Sequence, residues 1–270
     1  MIQILSNPIV ASAVVFVFGT IVGSFLNVCI VRLPKKESLV FPGSHCPNCN
    51  APIPFYFNIP LVSYVILLGH CHACGKGISP RYFIVELLMG ALAVALFRHL
   101  GFGPAFFVDF IFVAALIVIT FIDLDVRIVP DVISLPGIIL GLLFALFNAQ
   151  VLRDRFSVLP SPISSLLGII VGGGLLFLVA WVYQLITGRE GMGGGDIKLL
   201  AMIGAFLGWP SIPLTLFAAS LTGSLVGVLL MLRKGVDGQY ALPFAPFLCL
   251  GALFDLFFGV QLMALYLPPA

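Results

Sequence analysis

Eight apolar stretches, at about 8–31, 82–99, 104–122, 131–149, 162–186, 196–209, 211–232 and 242–267, take up most of this chain. Most of them reach the roughly 20 residues with which an α-helix crosses about 30 Å of hydrocarbon. Lipid offers no hydrogen-bond partner, so a run of this kind must satisfy its backbone internally, as a helix does. The 196–209 stretch is short and glycine-bearing, and only Trp209-Pro210 separates it from the next, so those two could form one re-entrant element. Eight separate helices account better for the polar punctuation. The expected fold is an all-α polytopic membrane protein with about eight transmembrane helices. Composition agrees, since 61% hydrophobic and only 9% charged residues exclude an ordinary soluble domain.

Orientation follows from the basic residues. With the loop 32–81 in the cytoplasm, Arg32, Lys35, Lys36, Lys76, Arg81, Arg127, Arg189, Lys198, Arg233 and Lys234 lie inside, against Arg98, Arg153 and Arg155 outside. That asymmetry obeys the positive-inside rule. Both termini are then expected on the periplasmic side. No basic residue precedes Arg32, so the first span reads as a retained anchor rather than a cleaved signal. The domains expected are a first transmembrane helix at 1–31, a cytoplasmic zinc-binding loop domain at 32–81 and a seven-helix membrane domain at 82–270.

The loop 32–81 is the one sizeable soluble piece, with prolines scattered through it and no sustained helical or strand period. So small a segment needs a staple. Cys46 and Cys49 in HCPNCN and Cys71 and Cys74 in HCHACG form two C-x2-C knuckles, with 21 residues between them. Each tight turn aims two sulfurs at one ion, and four thiolates close a tetrahedral structural Zn2+ shell. Two disulfides are the alternative, but they do not persist in a reducing compartment. His45, His70 and His72 are spare donors beside a shell that is already complete. Cys29 and Cys249, inside apolar spans, read as packing residues.

Against only 11 acidic residues, a placed carboxylate is informative. Asp123 in FIDLDVRIVPD closes the third span, and Asp196 in GMGGGDIKLL opens the sixth. The topology puts both loops on the cytoplasmic side. Two carboxylates sharing one proton are the machinery of an aspartic protease, in which one takes a proton from water and the other polarises the scissile carbonyl. The run Gly193-Gly194-Gly195 removes Cβ atoms from the approach to Asp196, leaving room for an extended substrate backbone. An aspartate after glycines at a helix start is equally a helix cap. Asp125 and Asp131 compete with Asp123. Asp131, after Pro130, reads as an N-terminal helix residue of the fourth span. Asp125 falls on the face opposite Asp123 if the helix continues that far, with Arg127 as a local partner. Lys198 could hold a substrate carbonyl, bias the dyad or snorkel. Asp109 lies close enough to the outer interface to reach it, whereas Asp255, mid-span, needs a partner or a wet cavity.

Several motifs in order carry a resemblance: GSFLNVCIVRLP at 23–34, the cysteine knuckles, ISPRYFIVELL at 78–88, FIDLDVRIVPD at 121–131 and GGGDIKLLAMIGAFLGW at 193–209. Together they resemble the bacterial type IV prepilin peptidases of pilus and type II secretion systems, which are GxGD-type membrane aspartic proteases. The resemblance implies a multi-pass inner-membrane enzyme with catalytic residues Asp123 and Asp196. It implies removal of a short basic leader after a glycine from prepilins and pseudopilins at the cytoplasmic face. It further implies N-methylation of the new N-terminus, usually phenylalanine, with S-adenosylmethionine as donor. Gly193, Gly195, Lys198 and Asp125 are the supporting candidates beside the dyad.

The methyltransferase half is not visible as a motif, because there is no G-x-G-x-x-G and no room for a Rossmann unit. Asn27 and Glu86, beside the 32–81 segment, are the candidates to line a cofactor site. Glu86, about one turn into the second span, needs a partner such as Arg81, and Asn27 reads first as a helix-to-helix hydrogen bond. The Gly172-Gly173-Gly174 run suits close helix packing. The expected partners are the prepilin substrates and the bilayer, with no nucleic acid and an oligomeric state that the sequence does not set. Two other functions fit the pattern less well. A presenilin-like GxGD protease would pair its GxGD with tyrosine-aspartate and Pro-Ala-Leu motifs, which this chain lacks. A zinc-regulated transporter or channel would spread carboxylates through the bilayer depth.

Overall fold

The computed structural model describes residues 7–151, 160–188, 193–234 and 242–266, so Arg153, Arg155 and Arg189 of the charge pattern lie outside the described residues. Every regular element among the described residues is helical. In chain order these are α1 Pro8–Arg32, a 3₁₀ turn Phe55–Phe57, α2 Val62–Ile66, α3 Arg81–Leu100 and α4 Pro104–Val126. They continue with α5 Asp131–Val151, α6 Pro162–Thr187, α7 Gly194–Leu207, α8 Ser211–Lys234 and α9 Ala245–Tyr266. Each apolar stretch of the sequence thus forms its own helix. Six of them, α1, α3, α4, α6, α8 and α9, are long and apolar enough to cross a membrane, and α5 carries a shorter apolar run, Asp131–Phe147. At 14 residues α7 is about 21 Å long, short of the hydrocarbon thickness. Gly208, at φ +84°, breaks the chain between α7 and α8, so they are two helices and not one.

The chain divides into two compact units, Met1–Val118 and Ile119–Ala270, with the boundary inside α4. In the first, α1 packs closely on α3. Asn7 caps α1 by accepting the Ile9 N–H, and Pro8 supplies a preset first helical turn. Gly19 and Gly23, one turn apart, form the seam. A Cβ on Gly19 would come within 2.8 Å of Ala93 Cβ, and one on Gly23 within 2.8 Å of the Glu86 Cα. Small residues at that spacing allow the backbone approach that drives helix association in lipid. Asp109, in the α4 part of this unit, is only 1% exposed, and its Oδ2 has no partner among the described residues. It does not reach outward as its position suggests.

In the second unit α7 is the core. Leu199 through Phe206 are all buried, sleeved by α5 and α6. Gly168 of α6 meets Gly204 backbone to backbone, and Gly172 and Gly173 face Leu200 and Ala201. The Ser165 hydroxyl donates to the Ala205 carbonyl at 2.7 Å. From α5, Gly137 and Gly141 admit Met202 and Ala205. The expected packing role of Gly172 and Gly173 is therefore observed, while the Cβ position of Gly174 points into open space. Asp255 of α9 is 5% exposed, and its Oδ1 is buried without a partner among the described residues, while the Ser211 hydroxyl at the start of α8 donates to the Leu207 carbonyl at 3.0 Å.

Candidate functional site

The helix that ends the third span runs on to Val126, beyond the apolar stretch itself. Asp123 and Asp125 therefore lie on opposite faces of one final turn. Asp123 is 5% exposed, whereas Asp125 is exposed. The Asp123 carboxylate accepts the backbone N–H of Ala245 at the start of α9, and the Arg127 charge reaches it. Its Oδ2 is buried with no partner among the described residues. Arg127, at φ 57°, returns its N–H to the Asp123 carbonyl and ends the helix.

Asp196 sits half-buried in the first turn of α7. It is not the helix cap, because Gly193 occupies that position and no side chain bonds the turn. Instead, the charge of Asp123 acts directly on Asp196. Cys249, fully buried on α9, feels both carboxylates and bonds to the Thr120 side chain. Two aspartates from distant stretches thus lie close enough for the charge of one to act on the other.

The supporting candidates separate. A Cβ on Gly195 would meet Val129 Cβ at 2.8 Å, so Gly195 is required by packing within the protein rather than left open for a substrate. Gly193 and Gly194 face open space. Lys198 is committed elsewhere, since its Nζ lies 2.7 Å from Asp131 Oδ1 and ties α7 to the start of α5. That pair gives Asp131 a partner as well as a place in the first turn of α5.

In the first unit, the four knuckle cysteines converge. The Sγ atoms of Cys46, Cys49, Cys71 and Cys74 all lie within 4.8 Å of one another, with Cys46 to Cys74 and Cys49 to Cys71 at 4.0 Å. Four sulfurs bound at about 2.3 Å around a tetrahedral zinc would stand roughly 3.8 Å apart. The two knuckles repeat one backbone design. Asn50 and Gly75 take positive φ, and their N–H groups return to the Cys46 and Cys71 carbonyls. The Asn48 and Cys49 N–H groups lower the Cys46 thiol to about 6, and the Cys74 and Ala73 N–H groups lower Cys71. A metal-binding cysteine is a thiolate, and the turn N–H groups favour that form at Cys46 and Cys71, whereas burial and the neighbouring thiols push Cys49 up to about 11. His45 and His72 are engaged outside the cluster, with the Gly43 carbonyl and the Phe57 ring.

Beside the cysteines lies a cavity of about 380 Å³, lined among others by Asn27, Arg32, Glu37, His45, Tyr64 and Glu86. Asn27 makes the expected helix-to-helix bond, donating to the Tyr82 carbonyl at 3.1 Å. Its Oδ1 is left buried and without a partner among the described residues. Glu86 accepts the Leu61 N–H at 2.8 Å. Arg81, expected near Glu86, places its guanidinium 5.6 Å over the Tyr82 ring.

Comparison with known proteins gives these two regions a shared context. Residues 17–100 match the Bacterial Peptidase A24 N-terminal domain, and residues 110–228 match the Type IV leader peptidase family. A protein of Stutzerimonas stutzeri named prepilin leader peptidase/N-methyltransferase is 35% identical, over 97% of this chain and 96% of its own. The chain belongs to the type IV leader peptidase family. Leader peptidase/N-methyltransferases of Pseudomonas aeruginosa, at 34% identity over 97% of this chain and 95% of the relative, and of Aeromonas hydrophila, at 36% over 94% and 93%, agree. No solved structure matches the chain. Two features of this leader-peptidase fold escape sequence reasoning, namely the Ala245 N–H on Asp123 and the buried Cys249 thiol within reach of both carboxylate charges. A backbone donor leaves no residue signature, and a cysteine inside an apolar span reads as packing.

Proposed function

We propose that this protein is a bifunctional inner-membrane enzyme, an aspartic endopeptidase for prepilins and pseudopilins that also N-methylates the mature N-terminus. The observation that carries the peptidase reading is the pairing of buried Asp123 with Asp196, close enough for one charge to act on the other. Two carboxyl groups so placed share a proton and titrate as a pair. The ionised member takes a proton from water, whose oxygen attacks the scissile carbonyl carbon. The protonated member gives its proton to the carbonyl oxygen, forming a gem-diol. Collapse of the diol breaks the C–N bond as a proton passes to the leaving nitrogen. The open backbone at Gly193 and Gly194 leaves space for an extended peptide beside Asp196. A prepilin, with its basic leader outside the bilayer and its apolar helix within, brings its cleavage site to a wet interface. We place that interface on the cytoplasmic side, with both termini periplasmic, on the strength of the basic-residue asymmetry.

The methyl-transfer reading rests on the cavity beside the cysteines. S-adenosylmethionine would supply an electrophilic methyl group to the new N-terminal amine. The donor set fits such a ligand: the unpartnered Asn27 Oδ1 would accept from an amine, the Glu86 carboxylate would offset a positive charge, and apolar Val28, Val31 and Tyr64 would give an adenine ring a surface. The four-cysteine cluster is compatible with a structural zinc that holds this wall together. The test incubates the protein with a prepilin and labelled S-adenosylmethionine and weighs the product by mass spectrometry. Cleaved and methylated product is expected. Cleavage without added methyl would refute the transferase half, and an intact prepilin would refute the peptidase half.

A further inference from the structure

The stretch between the knuckles carries no charged side chain from Asn50 to Gly69, although lysines and arginines flank it on both sides. Its short helix α2 and the two residues that follow it present two faces. Ser63, Tyr64 and Leu67 turn inward and line the cavity. Val62, Val65, Ile66 and Leu68 turn outward and are 48%, 58%, 68% and 80% exposed. Water is a poor solvent for so compact an apolar patch.

The depth of the segment says what covers it. Leu61 donates its N–H to Glu86 Oε2 at 2.8 Å, and the Tyr64 ring packs on Phe83 with centroids 5.5 Å apart. Glu86 stands five residues past the start of α3, about 7.5 Å along the helix axis. Ile84, Leu87 and Leu88, on the same stretch of α3, are themselves exposed. In a helix of this length and hydropathy, exposed apolar side chains at that level meet lipid. The outer face of α2 continues the same apolar surface, and exposed Lys35, Lys36 and Lys76 supply cations to the phosphates of headgroups.

We propose that the segment Asn58–Gly69 is an interfacial membrane anchor, seated in the bilayer with Val62, Val65, Ile66 and Leu68 against lipid. The loop between the first two spans is then monotopic at its centre, and one wall of its cavity is the inner face of a lipid-bound helix. Insertion of this kind is driven by apolar area and strengthened by basic residues at the headgroups.

The test uses the full chain in lipid nanodiscs, with Trp181→Phe and Trp209→Phe removing the native indoles. A single tryptophan is introduced as Ile66→Trp, or as Leu68→Trp in a second variant, and as Ala73→Trp at an exposed knuckle position for reference. Each variant is first shown to retain its zinc content. Emission from Ile66→Trp and Leu68→Trp is expected to be quenched several-fold more by acyl-brominated lipid than emission from Ala73→Trp, and less by acrylamide. Equal quenching at all three sites overturns the proposal. So does shielding that appears only when a prepilin is added, or only at high protein density, since those outcomes assign the face to a peptide or to a second copy.

Discussion

In the cysteine cluster, four thiols come from two turns of the same design, each spanning three or four residues, and the local backbone favours thiolate at Cys46 and Cys71. In the aspartate pair, neither partner is positioned by its neighbours in sequence. Asp123 owes its burial to an extra turn of α4 and its hydrogen bond to α9, and Asp196 owes its place to a short helix clamped between glycines. A locally encoded site should fail only when its own residues or its metal are lost. A site assembled by packing should also fail through residues that touch no substrate.

The contrast can be broken most forcefully at the metal. Chelation, or the double change Cys46→Ser and Cys71→Ser, is expected to unfold the loop, because a structural zinc site supplies folding free energy that so small a segment lacks. Proteolysis should then nick the 32–81 region, and methylation should fall to background. Next in size, Asp123→Ala and Asp196→Ala should each lower leader cleavage about 10²–10⁴-fold or more, the range for a positioned acid or base. Zinc content measured in the same preparations should not change, and retained cleavage in either variant would remove the dyad.

A smaller effect is expected at Gly168→Leu. Overpacking commonly costs about 1–3 kcal/mol, and here the added atoms meet backbone at Gly204. Cleavage should fall together with thermal stability, although the residue is remote from both carboxylates in sequence. If cleavage persists at full stability, the glycine clamp is not what positions Asp196. The smallest effect belongs to Lys198→Met. Its pairing with Asp131 is partly exposed, and such pairs contribute about 0–1 kcal/mol. Near-normal cleavage by this variant would confirm that Lys198 fastens α7 to α5 and does not serve the chemistry.

The same contrast explains what the sequence revealed. The apolar helices were legible because lipid forces apolar runs of a given length, and the cysteine site was legible because its spacing is its geometry. Asp123 was distinguishable from Asp125 only by family resemblance, since their opposite exposure depends on α4 continuing to Val126. Gly195 looked like part of a substrate channel because its meeting with Val129 joins two loops that sequence keeps apart. The pairing of Lys198 with Asp131 was hidden for the same reason, its partner being on another helix. The segment 50–69 read as soluble loop because prolines hide its short helix, and its lack of charge gains meaning only once α2 is seen against α3.

Of the four knuckle cysteines, Cys46 and Cys71 are buried while Cys49 and Cys74 are exposed. An ion held there would have one side open to solvent. A competing ligand could displace the exposed thiolates while the buried pair still holds the metal, so exchange would proceed by ligand substitution without prior unfolding. Its rate should then rise with chelator concentration instead of levelling off at the opening rate of the loop.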